Sequence, residues 1–515
     1  MHEYQKTADQ VADDIAKTYI KATDYINSEI EKIFRTFRLE GGLTESEARQ
    51  LLNHIPDDVT LDSLKAVVNQ IKDPVKKQKI LNVINSPAYA YRIQRFEELQ
   101  KDIDDKVTQL YKVEQNATKS HYIDLAEDAY YRTIFDIQKG TGLGFSFSSM
   151  STSRVDEILK NNWSGKLFSE RIWGRTKEIN NAIQEELYVQ FMTGRSYLKT
   201  SAEIQERMSV GAMEARRLVR TESAYISNSA ELESYKECGI EEFRFIATLD
   251  MRTSELCASM DGKRFKVEDG VPGENVPPLH PWCRSTTAAV IDGEVTEGLE
   301  RRARDPETGK TYLVPADMTY EEWKKSIDEK YGDGYFETER KKVLNYSSDK
   351  KQYEKYKSVL GAKNVPQSFD KFQELKYNDK ETWRFIKIDY KRRNELIKNP
   401  ELVLPNAKNA TADDRKFTEY LFGGTNKIGL SKGRAFENRL GYNIDNYTEL
   451  KDEILKMADK YPASPKNSDV HGFGYEQKII VYGYKNKPAN VVIGWKNKGG
   501  KTWLTTAYIK EVDEK

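Results

Sequence analysis

Between residues 216 and 284 the sequence changes its hydrophobic period and gathers its charge. Arg220-Thr221-Glu222 lies in a stretch with helical spacing. Phe243, Phe245, Ala247 and Leu249 then alternate with polar neighbours, which is the pattern of a strand with one face on a core. Asp250-Met251-Arg252-Thr253 follows directly. His280-Pro281-Trp282-Cys283-Arg284 comes after an irregular loop carrying Asp269-Gly270, Pro272-Gly273 and Pro277-Pro278, and Cys257 sits between the two motifs. Residues 263–267 read as a second strand and residues 286–291 as a third. A charged helix, an acid–arginine turn and a histidine–cysteine turn are therefore expected to converge on one small α+β unit.

This constellation resembles the core domain of the minor head proteins of tailed bacteriophages, the Mu F-type head-morphogenesis family. Asn162-Trp163-Ser164-Gly165-Lys166 and Phe168-Ser169-Glu170-Arg171-Ile172-Trp173 extend the likeness towards the N-terminus. Arg304-Asp305-Pro306, Thr308-Gly309-Lys310 and Val314-Pro315 extend it to about residue 320. The resemblance implies a structural protein associated with portal and capsid proteins, acting in head assembly and in packaging or ejection of phage DNA. It also implies a location inside the virion head after synthesis in the bacterial host cytoplasm.

The chain has 515 residues, too many for one ordinary core, so several domains are expected. Basic and acidic residues balance at 82 each, which gives no global attraction to nucleic acid. Charged residues make up 32%, which favours long solvent-facing helices over several thick cores. Three cysteines do not make a disulfide framework, as suits a reducing cytosol. The opening Met1-His2-Glu3-Tyr4-Gln5-Lys6 lacks an apolar stretch, so no secretory signal is expected, and no membrane partner either.

The expected class is α+β multidomain: a mainly helical N-terminal half, a small α+β core and a C-terminal α+β domain with a short antiparallel sheet. Residues 1–150 read as a helical region, with apolar steps of three to four at Val11, Ile15, Tyr19, Ile26, Ile30, Ile33, Phe34 and Phe37. A break is expected at residues 39–43, followed by Thr44 as an N-cap with Glu47 three residues on. Pro56, Pro74 and Pro87 punctuate further helices, and residues 88–138 form one long amphipathic stretch. Residues 151–295 are the head-morphogenesis core. Residues 296–400 are a charged connector plus a small docking module rich in aromatics. Residues 401–515 read as helices at 416–421, 434–440 and 448–460, then strands at 477–484, 490–495 and 502–509.

Arg220, Glu222, Asp250, Arg252 and Arg284 are charged residues that need partners if buried. A bidentate arginine–carboxylate network that fixes the helix on the sheet is expected. The alternative, Asp250 and Glu222 as a catalytic pair, has no accompanying nucleophile or phosphate loop. Cys257, His280 and Cys283 have the chemistry of zinc ligands, and His280-x-x-Cys283 puts two on one turn. A structural zinc needs four ligands; Cys238 or Asp250 are candidates for the fourth, and Ser285 stands where many relatives carry a cysteine. The other reading is no cofactor at all, with buried thiols and a histidine bonded to backbone.

The C-terminal block resembles small toxin domains of the barnase–EndoU–colicin–RelE nuclease group. Leu404-Pro405-Asn406, Lys416-Phe417, Tyr420-Leu421, Leu430-Ser431-Lys432-Gly433-Arg434-Ala435-Phe436 and Leu440-Gly441-Tyr442 carry that likeness. Seven lysines face one acidic residue, Glu476, between His471 and Lys510. Lys478, Lys485, Lys496 and Lys498 suit a phosphate backbone, and Tyr475, Tyr482, Tyr484, Trp495, Trp503 and Tyr508 suit base stacking. Metal-free RNA cleavage needs a base, a proton donor and a cation on the phosphate. His471, in a loop before the sheet, Lys432, in a Ser-Lys-Gly-Arg turn, and Thr505 and Thr506 are the candidates. Each also has an ordinary reading: a solvated histidine, edge-protecting lysines, core aromatics.

Three functions follow from these readings. One is a head protein carrying a metal-independent ribonuclease effector, with host RNA as target and a cognate immunity protein as partner. Another is a purely structural head protein whose C-terminal domain binds nucleic acid or capsid. The third is a toxin of bacterial competition that uses the head-protein core for delivery.

Overall fold

The computed structural model describes residues 2–35, 43–52, 65–66, 68–85, 87–291, 299–485 and 487–512. The expected features at Phe37, residues 39–42 and Pro56 lie outside them. The chain divides into two compact units, Met1–Ser326 and Ile327–Lys515. The class is α+β, with a helical N-terminal half and small antiparallel sheets.

The first unit begins with α1 (His2–Phe34), α2 (Glu45–Leu52), α3 (Pro74–Ile84), α4 (Pro87–Thr141), α5 (Thr152–Lys160), α6 (Phe168–Thr193) and α7 (Tyr197–Glu237). Thr44 starts α2 with a reciprocal cap: its Oγ1 accepts from Glu47 N at 3.3 Å, and Glu47 Oε2 accepts from Thr44 N at 2.8 Å. Pro87 opens α4 at the position where a missing N–H costs nothing. Ala8, Ala12, Ile15, Ile26 and Ile30 of α1 pack with Val107, Ile183, Ile204, Met208 and Ala215 in one core. Inside this core Arg175 pairs with Glu114, whose other carboxylate oxygen accepts from Tyr19. The stretch 1–150 is thus built into the same unit as the sheet that follows.

That sheet contains β1 (Glu242–Ile246), β2 (Arg264–Lys266) and β3 (Thr286–Val290) in the order β2-β1-β3, all antiparallel. Its alternation is as the sequence indicates: Phe243 and Phe245 are buried, and Phe243 packs with Leu232 and Tyr235 of α7. A short helix, α8 (Glu255–Met260), lies between β1 and β2.

The segment expected as a charged connector instead folds onto this core. It forms a hairpin of β4 (Glu300–Arg304) and β5 (Thr311–Pro315), and Arg304 N donates to Leu249 O at 2.9 Å. Arg301 reaches the buried Asp261 carboxylate at 3.1 Å. Its charge serves a long-range pair, which composition cannot distinguish from a solvated linker. Helix α9 (Tyr320–Tyr331) follows, and Tyr320 Oη donates to Asp250 O at 3.1 Å.

The second unit holds α10 (Tyr335–Leu344), α11 (Tyr346–Leu360), α12 (Phe369–Asn378) and α13 (Lys380–Lys398), whose core includes Tyr353, Tyr356, Phe372, Trp383 and Ile386. A π-helical turn at Lys416–Leu421 precedes α14 (Lys427–Leu440) and α15 (Tyr447–Met457). The sheet has four antiparallel strands in sequence order, β6 (Ala463–Asp469), β7 (Gly472–Val481), β8 (Ala489–Lys498) and β9 (Lys501–Ile509). Phe417, Phe436, Leu440, Leu450 and Ile454 cover its inner face at Ile479, Val481, Val491, Ile493 and Leu504.

Two local expectations change here. Strand β6 was not expected, because Ser464-Pro465-Lys466-Asn467-Ser468-Asp469 holds poor strand formers; it is an exposed edge strand, where proline and charge are tolerated. Lys432 belongs to a helix rather than a turn. Asn426 caps that helix through its side chain, and Gly429 and Gly433 allow it to pass against the backbone of Tyr420 and Leu421.

Candidate functional site

The three motifs of the first unit converge. Thr221 Oγ1 on α7 accepts a hydrogen bond from Trp282 N at 3.2 Å. The Arg220 guanidinium lies over the Trp282 ring, 5.4 Å from its centroid, and pairs with Asp9 at 3.4 Å. Trp282 has φ 66°, a left-handed turn that presents its N–H to the helix. Asp250 binds Arg284 with both carboxylate oxygens, one at 2.7 Å, and also accepts from Arg252 N at 2.9 Å. Burial pushes the Asp250 carboxyl up, but Arg284 and the backbone N–H outweigh it and hold it below the usual range.

The five charged residues do not form one network. Arg252 contributes only its backbone, and its side chain is exposed. Glu222 faces elsewhere: its carboxylate accepts from Trp163 Nε1 at 3.0 Å, and burial raises its pKa. Its hydrogen-bond partner is thus Trp163, whereas that of Asp250 is Arg284. The Trp163 contact was not foreseen, although Trp163 stands in one of the motifs that carry the family likeness. A second buried acid, Glu231 on α7, accepts from Thr286 at 3.1 Å, and burial lifts its pKa to about 7.

Cys257, His280 and Cys283 form a compact cluster beside this pair. Cys257 Sγ is 3.2 Å from His280 Nε2 and 3.6 Å from Cys283 Sγ. His280 Nε2 also contacts Ser254 Oγ at 2.9 Å, and His280 Nδ1 is 2.8 Å from Pro281 O. The Cys283 thiol, hydrogen-bonded to Cys257, pulls the Cys257 pKa down to about 6, while Cys283 itself is raised. Neither suggested fourth ligand joins the cluster. Cys238 packs against the cluster of Ile137, Leu232, Tyr235 and Phe243, and Asp250 is engaged by Arg284.

In the second unit, Lys432 Nζ donates to Thr506 Oγ1 at 3.1 Å and lies between the rings of Tyr508 and Tyr420, 5.0 and 5.7 Å from their centroids. Thr505 Oγ1 instead donates to Gly494 O at 2.9 Å. His471 occupies the tight turn between β6 and β7, exposed, with its N–H on Asp469 Oδ1 at 2.9 Å. Register separates it from Lys432. Thr506 pairs with Gly494, whereas Phe473, next but one to His471, pairs with Asn497. Three residues along β8 amount to roughly 10 Å. The four proposed catalytic residues therefore do not meet: Lys432 and Thr506 do, and His471 stands apart.

The proposed nucleic-acid residues divide similarly. Lys496 pairs with Asp469 at 2.8 Å, Lys498 donates to Val470 O at 2.9 Å, and Lys485 donates to Glu437 O at 2.9 Å. Lys478 and Trp503 are half-buried on β7 and β9. Trp495 is a core residue, 1% exposed, and Tyr482 donates to the buried Asp389 at 2.9 Å, so neither is a stacking platform. Asp389 also accepts from Arg393 Nε at 2.7 Å and from Tyr461 Oη at 2.5 Å. That buried network escaped the sequence; its only local sign is the i, i+4 spacing of Asp389 and Arg393.

Comparison with known proteins places a family likeness on the first site. Residues 181–288 match the family described as Phage Mu protein F like protein, a span that holds α7, β1, β2, the start of β3 and both turns. Residues 403–511 match a domain of unknown function (DUF6883). The chain is 22% identical over 252 residues to the NAD(+)--arginine ADP-ribosyltransferase EFV of Enterococcus faecalis, across 45% of this chain and 48% of that protein. It thus spans about half the length of the curated relative it matches. No solved structure matches.

Proposed function

We propose that this chain is a phage head-related protein. Its 181–288 core would act in head assembly with portal and capsid proteins, and its C-terminal block would be an effector domain acting on RNA. The carrying observation is that the Mu F-like match falls on the segment where Thr221, Trp282 and the Asp250–Arg284 pair meet. No helix among the described residues is long and apolar enough to cross a membrane. The likeness to an ADP-ribosyltransferase supports the effector reading, because it links a chain of this kind with an enzyme.

Within the C-terminal block, Lys432 with Thr506, Tyr420 and Tyr508 is the best candidate centre. A lysine between two half-buried aromatic rings offers a cation for a phosphate and π-faces for a base. His471 is displaced from that role by its register. Incubating the purified full chain with total RNA tests this. Lys432→Ala is expected to lose at least tenfold in cleavage, and His471→Ala to stay within twofold of the parent. Binding without cleavage would select the non-catalytic, purely structural reading. No interaction with RNA at all, or a Lys432→Ala chain as active as the parent, would refute the effector centre. Growth arrest on expression, relieved by a neighbouring immunity gene in a locus without portal genes, would favour the competition toxin.

A further inference from the structure

We infer that Cys257, His280 and Cys283 bind one zinc ion, with a fourth position left to water on the half-exposed side of the cluster beside Ser254. The donor atoms all lie within 4.8 Å of one another. A tetrahedral zinc with bonds of about 2.3 Å to sulfur and about 2.0 Å to nitrogen needs edges of about 3.8 Å between sulfurs and about 3.5 Å from sulfur to nitrogen. The Sγ–Sγ separation is 3.6 Å and the Cys257 Sγ–Nε2 separation is 3.2 Å, and the third edge, from Cys283 to His280, lies within 4.8 Å, so movements of about 1 Å complete the triangle.

Histidine orientation is the independent observation. Among the described residues the acceptor at hydrogen-bond distance from His280 Nδ1 is the Pro281 carbonyl, at 2.8 Å, which favours the tautomer with its proton on Nδ1. Nε2 is then the unprotonated nitrogen and faces Cys257 Sγ at 3.2 Å and Ser254 Oγ at 2.9 Å, and a backbone-held Nδ1 is the arrangement that orients metal-bound imidazoles. Burial and charge agree. Cys257 and Cys283 are 1% and 2% exposed, and two thiolates with one divalent cation leave a neutral centre. Arg284 needs no thiolate partner because Asp250 holds it. Binding forms two metal–sulfur bonds and one metal–nitrogen bond, and any proton still on either thiol is released to solvent. The ion would join α8 to the turn that carries Trp282 and Arg284, and so set the surface that α7 meets.

The test uses the intact chain, purified without chelators from cells grown with zinc. Elemental mass spectrometry is expected to give about one zinc per chain, falling to near zero in Cys257→Ser and Cys283→Ser. In the parent protein, cobalt(II) exchange should produce thiolate-to-metal absorption together with the visible bands of a tetrahedral ion. Thiol alkylation covers the case in which those variants do not fold: chelator should expose Cys257 and Cys283 to labelling, with Cys238 unchanged as internal control. A metal-free parent chain without cobalt bands would overturn the inference. So would a Cys257–Cys283 disulfide in peptide maps, or full zinc retained by a chain carrying both Cys257→Ser and Cys283→Ser.

Discussion

At the scale of single residues, the best-defined interaction is Asp250 with Arg284. Both residues, like Cys257, His280 and Cys283, were legible because they stand in short motifs whose spacing fixes a turn. Arg252 and Glu222 were not, since side-chain direction depends on the packed structure: one points to solvent and the other to Trp163. Asp250 is 3% exposed at its side chain and Arg284 23%, so removing the carboxylate strands a largely desolvated cation. Asp250→Asn is expected to lower stability at pH 7 by about 3 kcal/mol. The folded carboxyl titrates below its unfolded value. Its stabilisation is therefore complete above the ordinary carboxylate range and fades as pH falls through the lowered value. Urea denaturation of parent and variant should show a gap at pH 7 that narrows at acid pH. Equal stability at pH 7, or a gap indifferent to pH, would refute the pair's role.

At the scale of elements, periodicity revealed the long helices and the alternating strands, and it failed where contact overrides composition. The Ser431-Lys432-Gly433-Arg434 segment looked like a turn because it holds glycine, yet Gly433 and the nearby Gly429 serve close approach. A Cβ at Gly433 would sit 1.8 Å from Leu421 O, and one at Gly429 2.1 Å from Tyr420 O. Backbone cannot yield as a flexible side chain does. Gly433→Ala is expected to destabilise the second unit by about 2–3 kcal/mol. Gly174→Ala, in α6 with nothing within 4 Å of the added carbon, should be stabilising by about 0.5–1 kcal/mol. Thermal unfolding of both variants checks this contrast; a neutral Gly433→Ala would mean that α14 does not press against the preceding turn. Strand β6 was illegible for the opposite reason, since its pairing with β7 owes little to its side chains.

For the whole molecule, the α+β class and the helical N-terminal half could be read from pattern, whereas the division into units could not. It depends on long-range pairs such as Arg301 with Asp261, in which two charges vanish into one core. The central site was visible as a constellation, and its convergence on one surface is what the fold adds. The C-terminal site was legible only in part. Lys432 and Thr506 meet, but strand register, set by the pairing of β7 with β8 and of β8 with β9, carries His471 away. The central claim is that this chain is a component of a phage head. Protein mass spectrometry of purified, nuclease- and protease-treated particles from an induced host carrying the gene tests it most directly. Peptides from both 181–288 and 403–511 are expected inside DNA-filled heads, at constant ratio to the portal protein. Their absence from the particles, with the chain abundant in the same lysate, would contradict it.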